Sequence, residues 1–161
     1  MEISNPAVRE SYKQLSLIYT AYLFGIIFFS GFVLFAVITN DGGYFSKQNG
    51  NYHTLRIIFA ILVLGLIPLA FFLHKHKTGK ALTKPLLKDK LLIYRNSFII
   101  KAGIIEFLGI INAVLLFLYG DLYLLIPLIL FILYLIINRP GVGNLTREIG
   151  LSPEEKRSLR A

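Results

Sequence analysis

The chain has 161 residues, 55% of them hydrophobic and 16% charged, with a mean hydropathy of +0.65, far more apolar than a soluble core of this size requires. The formal charge of +8 would suit a nucleic-acid binder if the basic residues followed one helix face; they fall in blocks between apolar runs instead, so membrane topology explains them and no nucleic-acid partner is expected. The absence of cysteine excludes disulfides, thiol nucleophiles, iron–sulfur clusters and cysteine zinc sites.

A hydrocarbon core about 30 Å thick takes roughly 20 apolar residues at 1.5 Å each. About a dozen polar or mixed residues precede the first apolar run, which is too long for a signal-peptide core and is expected to stay as a membrane helix; no lipidation motif is visible. That first span covers about 15–39. Asn40-Asp41-Gly42-Gly43 and Asn49-Gly50-Asn51 are turn formers and predict a polar loop. The second span covers about 55–73, with Pro68 in its inner half. A basic linker, 74–97, follows. Its leucines at 82, 86, 87, 91 and 92 are close to helical spacing, which predicts an amphipathic helix on the headgroups over part of 78–97, limited upstream by Pro85. The third span covers about 98–119 and the fourth about 122–137, with Pro127 in its first turns. Gly120-Asp121 leaves only a tight turn between them, so they are antiparallel neighbours. In the tail, 138–161, Asn138-Arg139-Pro140-Gly141 stops the fourth span. Ser152-Pro153-Glu154-Glu155 predicts a helix start with a capping box.

Orientation follows from the lysines and arginines, which are retained on the cytoplasmic side. Fifteen fall on one face, in the N-terminal segment, the linker and the tail, against Lys47 and Arg56 on the other. The expectation is an all-α integral membrane protein, one four-helix bundle with both termini cytoplasmic, in the bacterial cytoplasmic membrane. Lys75, Lys77, Lys80, Lys84, Lys88, Lys90, Arg95, Lys101 and Arg139 are expected to meet anionic lipid headgroups, at about 1 kcal/mol each near the surface. Gly25 and Gly31 in the first span match the spacing of Gly103 and Gly109 in the third, a hint of two tandem hairpins.

Glu106 is the most informative residue, because a carboxylate near the middle of a span faces protein or water rather than lipid. Helical spacing sets Ala102, Gly109 and Ala113 on its face, a small-residue stripe suited to close helix approach. By depth alone its partners would be Tyr22, Ser30 or Tyr134. Lys101 points about 140° away and is expected to snorkel outward. Asn112 lies towards another side, where it can bond across to a neighbouring span. His74 and His76 point apart and make a poor metal site; like Arg56 and His53 they read as interfacial anchors. Tyr12, Tyr44, Tyr52, Tyr94, Tyr119 and Tyr123 sit at the depths of an aromatic belt. No cofactor is implied.

Enzyme signatures are absent: no zinc-protease motif, no nucleophile elbow, no phosphate-cradling glycine loop, no paired intramembrane aspartates. The leading expectation is a non-enzymatic protein acting by helix association, as a homo-oligomer or as an accessory subunit of a membrane complex. The alternative is proton or cation translocation through Glu106. A lipid-modifying enzyme would need a second polar group beside Glu106 that the sequence does not display.

Ile99-Ile100-Lys101-Ala102 leading to Ile105-Glu106, then Asn138-Arg139-Pro140 and Leu151-Ser152-Pro153-Glu154-Glu155, resemble a group of small, functionally uncharacterised bacterial four-span membrane proteins. That resemblance covers the whole chain and implies the topology and a membrane carboxylate, but no activity. Four-span rotor subunits of vacuolar-type ATPases look similar in length and in carrying a buried Glu. They depart in being far richer in Gly and Ala and in holding that Glu in the last span.

Overall fold

The computed structural model describes residues 6–39, 43 and 50–160. Most of the predicted outer loop, with Tyr44 and Lys47, lies outside them. The described chain forms α1 (Pro6–Thr39), α2 (Gly50–Ala81), α3 (Leu87–Tyr119), a 3₁₀ turn (Leu122–Leu124), α4 (Leu125–Ile137), α5 (Val142–Ile149) and α6 (Pro153–Arg160).

Three of these helices, α1, α2 and α3, are long and apolar enough to cross a membrane. At 1.5 Å per residue each is about 50 Å long, some 20 Å more than a hydrocarbon core needs, so each carries a polar extension. The expected fourth span is only 13 helical residues. It is long enough for a span only together with α5, and those two are bent by 84° where Asn138-Arg139-Pro140-Gly141 breaks the helix. The tail also contains a helix, α5, that was not expected. The α6 start is as the sequence reads it. Ser152 Oγ accepts from the Glu155 amide at 3.2 Å, and Glu155 Oε2 accepts from the Ser152 amide at 2.7 Å.

The linker differs from its reading. No separate surface helix covers 78–97. Instead α2 runs on to Ala81, the chain turns through 82–86, and α3 starts at Leu87 and continues unbroken into the apolar span. Pro85 accounts for the break, since it lacks an amide proton and disfavours helix at the residue before it. Leu82, Leu86 and Leu92 are exposed, whereas Leu91 turns into the core.

The centre of the fold is α3. Both α1 and α2 pack along it rather than on each other, and α4 lies against α3 and α1. This arrangement is not two tandem hairpins, because the element that α1 and α2 share is α3 itself. The glycines confirm the asymmetry: Gly25 and Gly109 are pressed against the opposite helix, while Gly31 meets nothing. At Gly109 a Cβ would collide with Ile26 Cδ1 of α1. Ala102 and Ala113 are buried beside it. Opposite the core, α3 leaves a strip open between α1 and α2, with Phe107 53% exposed.

The α3–α4 turn needs a glycine. Gly120 adopts φ 61°, the left-handed region that L side chains resist, and its amide closes on the Leu116 carbonyl at 2.8 Å. Asp121 then caps the following turn through the Tyr123 amide. Two helical turns inside, the Asn112 amide donates to the Leu124 carbonyl at 2.6 Å and ties the hairpin. The Asn112 carbonyl oxygen, fully buried, has no partner among the described residues. Asn112→Leu removes one hydrogen bond and one orphaned acceptor together, so its net effect should stay within about 1 kcal/mol in thermal unfolding. A loss of several kcal/mol would mean that the bond, rather than packing, holds the hairpin.

Candidate functional site

The polar groups collect at three levels. At the end formed by the α2 start and the α3–α4 turn, Tyr52 donates its hydroxyl to Asp121, and Arg56 reaches the same carboxylate at 3.8 Å while lying 5.3 Å over the Tyr52 ring. Tyr119 packs on Tyr52 with ring centroids 4.7 Å apart. Arg56 is thus an ion-pair partner as well as an interfacial cation. Tyr52, Tyr94 and Tyr119 are buried in the bundle, not displayed as a belt; Tyr123 is exposed and fits one.

At mid-height, Glu106 is half-buried on the seam between α3 and α1. Its Oε1 lies over Gly25, where an added Cβ would sit only 2.6 Å away. Gly25 therefore supplies the room the carboxyl occupies. Among the described residues Glu106 has no hydrogen-bond or ion-pair partner. The Tyr22 hydroxyl lies close by towards the basic end, over Gly103, and donates to the Ile99 carbonyl at 3.4 Å. Ser30, on α1, is buried with an unpartnered Oγ. Tyr134 belongs elsewhere: its ring packs on Phe71 of α2. Of the three partners expected by depth, only Tyr22 is brought near Glu106. The Ala102, Gly109 and Ala113 stripe is used up inside the protomer, against α1 and α4.

At the opposite, basic end, the sequence missed the densest cluster. Glu148 of α5 points up into the bundle and accepts from His74 Nε2 of α2 at 2.7 Å. Tyr94 of α3 hydrogen-bonds the same carboxyl. Lys101 Nζ stands 3.9 Å away and Arg147 4.0 Å. On the far side of the imidazole, Ser97 Oγ is 2.5 Å from His74 Nδ1. Lys101 is 2% exposed and faces Glu148, so it does not snorkel to headgroups: the 140° that separates it from Glu106 turns it into the bundle. His74 is likewise a buried member of the cluster and not a surface anchor. Burial alone would raise the Glu148 carboxyl, but the His74 hydrogen bond and the Lys101 charge, with Tyr94 assisting, outweigh it and hold the group below its ordinary value. The available signal was in α5, where Leu145 and Ile149 repeat at i and i+4 between Gly141 and Gly150, marking a docked helix whose inner face includes Glu148.

Serine, imidazole and carboxylate in series have the order of a hydrolase triad. Ser97, however, is 1% exposed, and its hydroxyl is also 3.3 Å from the His74 carbonyl. A nucleophile has to meet its substrate, and here the bundle covers it. What the arrangement does chemically is share hydrogen bonds and charge among α2, α3 and α5.

The other basic residues divide. Lys90 pairs with Glu155 of α6 at 2.9 Å, and Arg95 donates to Gln14 of α1 at 2.6 Å, so both are partly spent on joining helices. Lys75, Lys80, Lys84, Lys88 and Arg139 are exposed, and Lys77 is intermediate. Among the described residues no group of three or more potential ligands could hold a metal ion. Comparison with protein-family profiles, with curated proteins and with solved structures finds no match.

Proposed function

We propose that this is a non-enzymatic multi-pass membrane protein that acts by association in the bilayer, as a homo-oligomer or as an accessory subunit, through the α1–α3 seam at Glu106. The carrying observation is that this carboxyl is half-buried, unpartnered among the described residues, and lies about midway along a span. Lipid tails can cover Phe107 and the rest of the open strip of α3, since they are equally apolar. They cannot satisfy a carboxyl, and a polar group left in hydrocarbon is costly. A hydrogen-bonding group from another helix can.

The topology that goes with this reading has both termini cytoplasmic and the protein in the bacterial cytoplasmic membrane. The basic segments converge on one end, where Arg95 meets Gln14 and Lys90 meets Glu155. With its preceding 3₁₀ turn, α4 is about 25 Å long, which lets it serve as a short fourth span if the bilayer thins slightly or Arg139 snorkels.

Glu106→Gln should preserve assembly, because an amide still hydrogen-bonds, whereas Glu106→Leu should weaken it about tenfold, as expected for one interhelical bond of roughly 1–2 kcal/mol in a membrane. Sedimentation of the purified protein in detergent reads this directly. A Glu106→Leu variant that assembles as well as the parent would remove the carboxyl from the interface.

Proton or cation translocation is the second reading, favoured by Tyr22 standing beside Glu106 on the inner side. On the other side the buried α1 residues are Ile26, Val33 and Val37, with Ser30 the polar exception, so the polar path is half a path. Translocation predicts that Glu106→Gln keeps its assembly but loses ion flux in liposomes, and that a hydrophobic carbodiimide labels Glu106. Unchanged flux would exclude it.

A further inference from the structure

At the basic end a cleft of about 400 Å³ opens between α1 and the corner where α4 turns into α5. Tyr12, Ser16 and Tyr19 line it from α1, and Arg139, Gly141 and Val142 line it from the corner. Arg139 is exposed and makes no ion pair among the described residues, unlike Lys90 and Lys101, whose charges are answered by Glu155 and Glu148. Among the described residues no carboxylate lines the cleft. Four hydroxyls, with Thr20 the fourth, and one guanidinium without an ion pair therefore share a pocket that no described acid lines, which is the donor set of an anion site. The corner adds to this: α5 begins at Val142, a lining residue, with no side chain capping it, so its first amides have no intrahelical acceptor.

The depth identifies the anion. Tyr12 to Thr20 is the stretch where α1 passes from polar to apolar sequence, and Arg139 follows the last residue of α4 by two positions. One turn further along each helix, Phe24 and Ile136 are exposed apolar residues, a surface for acyl chains below a polar cup. We infer that this cleft binds the phosphate of an anionic phospholipid headgroup in the inner leaflet, with Arg139 as the forked donor and the Ser16 and Tyr19 hydroxyls as neutral ones. A diffuse basic surface attracts such lipids in general; a cleft with one unpaired arginine retains one of them at one place.

The test is native mass spectrometry of the full chain in a nonionic detergent, titrated with dioleoylphosphatidylglycerol or with zwitterionic dioleoylphosphatidylcholine. The parent should retain one phosphatidylglycerol in preference to phosphatidylcholine. Arg139→Gln should weaken that retention about tenfold, the loss of one charged hydrogen-bond pair, and Ser16→Ala by less. Lys80→Gln, which removes an exposed headgroup-facing charge at the end of α2 outside the cleft, should weaken it far less than Arg139→Gln does. Arg139→Gln leaves the fold intact, because Asn144 is held by the Arg139 carbonyl and not by its side chain; an unchanged circular dichroism melt verifies this. Equal weakening by Arg139→Gln and Lys80→Gln overturns the site in favour of a diffuse surface. Displacement of the lipid by millimolar inorganic phosphate or glycerol 3-phosphate overturns the lipid assignment in favour of a soluble phosphate.

Discussion

Glu148→Ala should lower the unfolding free energy by about 3–5 kcal/mol, the cost of stripping the partner from buried charged and polar groups. Three side chains on two helices lose an acceptor at once: His74 on α2, and Tyr94 and Lys101 on α3. Lys101 is the gravest case, because at 2% exposure it cannot recover its hydration without moving. Glu148→Gln keeps an acceptor for His74 and Tyr94 but removes the charge opposite Lys101, so its loss should be smaller. Thermal unfolding in detergent, followed by circular dichroism, measures both. If Glu148→Ala melts with the parent, the cluster is not what joins α5 to the bundle.

The same cluster sets a pH dependence. A carboxyl held below its unfolded value stabilises the fold above that value and loses its contribution as the pH falls through the folded one. For Glu148 the window therefore opens below about pH 4.3, the ordinary value of glutamate. The groups facing it are His74, Tyr94, Tyr134, Lys101 and Arg147. The parent should lose stability on acidification through this range more steeply than Glu148→Gln does.

What the sequence makes legible is what one helix can show by itself. Spans of α1, α2 and α3 are readable because apolar length against bilayer thickness is arithmetic on a single segment. The α6 capping box and the Gly120-Asp121 turn are readable because their partners lie within a few residues. That Glu106 points into a helix contact on a small-residue face follows from helical periodicity; that the helix is α1 does not. The rest depends on pairs distant in the chain. Whether Lys101 snorkels or is buried is decided by Glu148, 47 positions later, on the short helix α5. His74 looks like an interfacial anchor until Ser97 and Glu148 are placed on either side of it. Depth alone likewise placed Tyr134 with Glu106, because depth says nothing about azimuth, and the α4 face that carries Tyr134 turns towards α2.

Gly109→Leu should destabilise the fold by about 3 kcal/mol, the upper range for overpacking an interior contact. The reason is local. A Cβ at this position already collides with Ile26 Cδ1, and Phe131 of α4 closes the other side at 3.8 Å, so the new side chain has nowhere to go without separating α1 from α3. Because the first collision is with the end of a flexible side chain, removing that end should restore room. Ile26→Ala alone opens a cavity and costs about 2–4 kcal/mol, yet the double variant should be more stable than the sum of the two losses by about 1–2 kcal/mol, a coupling typical of residues in contact. The readout extends to Glu106. Gly25, Ile26 and Gly109 all lie on the α1–α3 seam, so moving α1 outward by one side chain also widens the gap in which the Glu106 carboxyl sits over Gly25. If assembly depends on that carboxyl being presented at a closed seam, Gly109→Leu should weaken assembly and Ile26→Ala should restore it in step with stability. Recovery of stability without recovery of assembly would place the interface on the seam's detailed geometry; assembly indifferent to both would place it on another face.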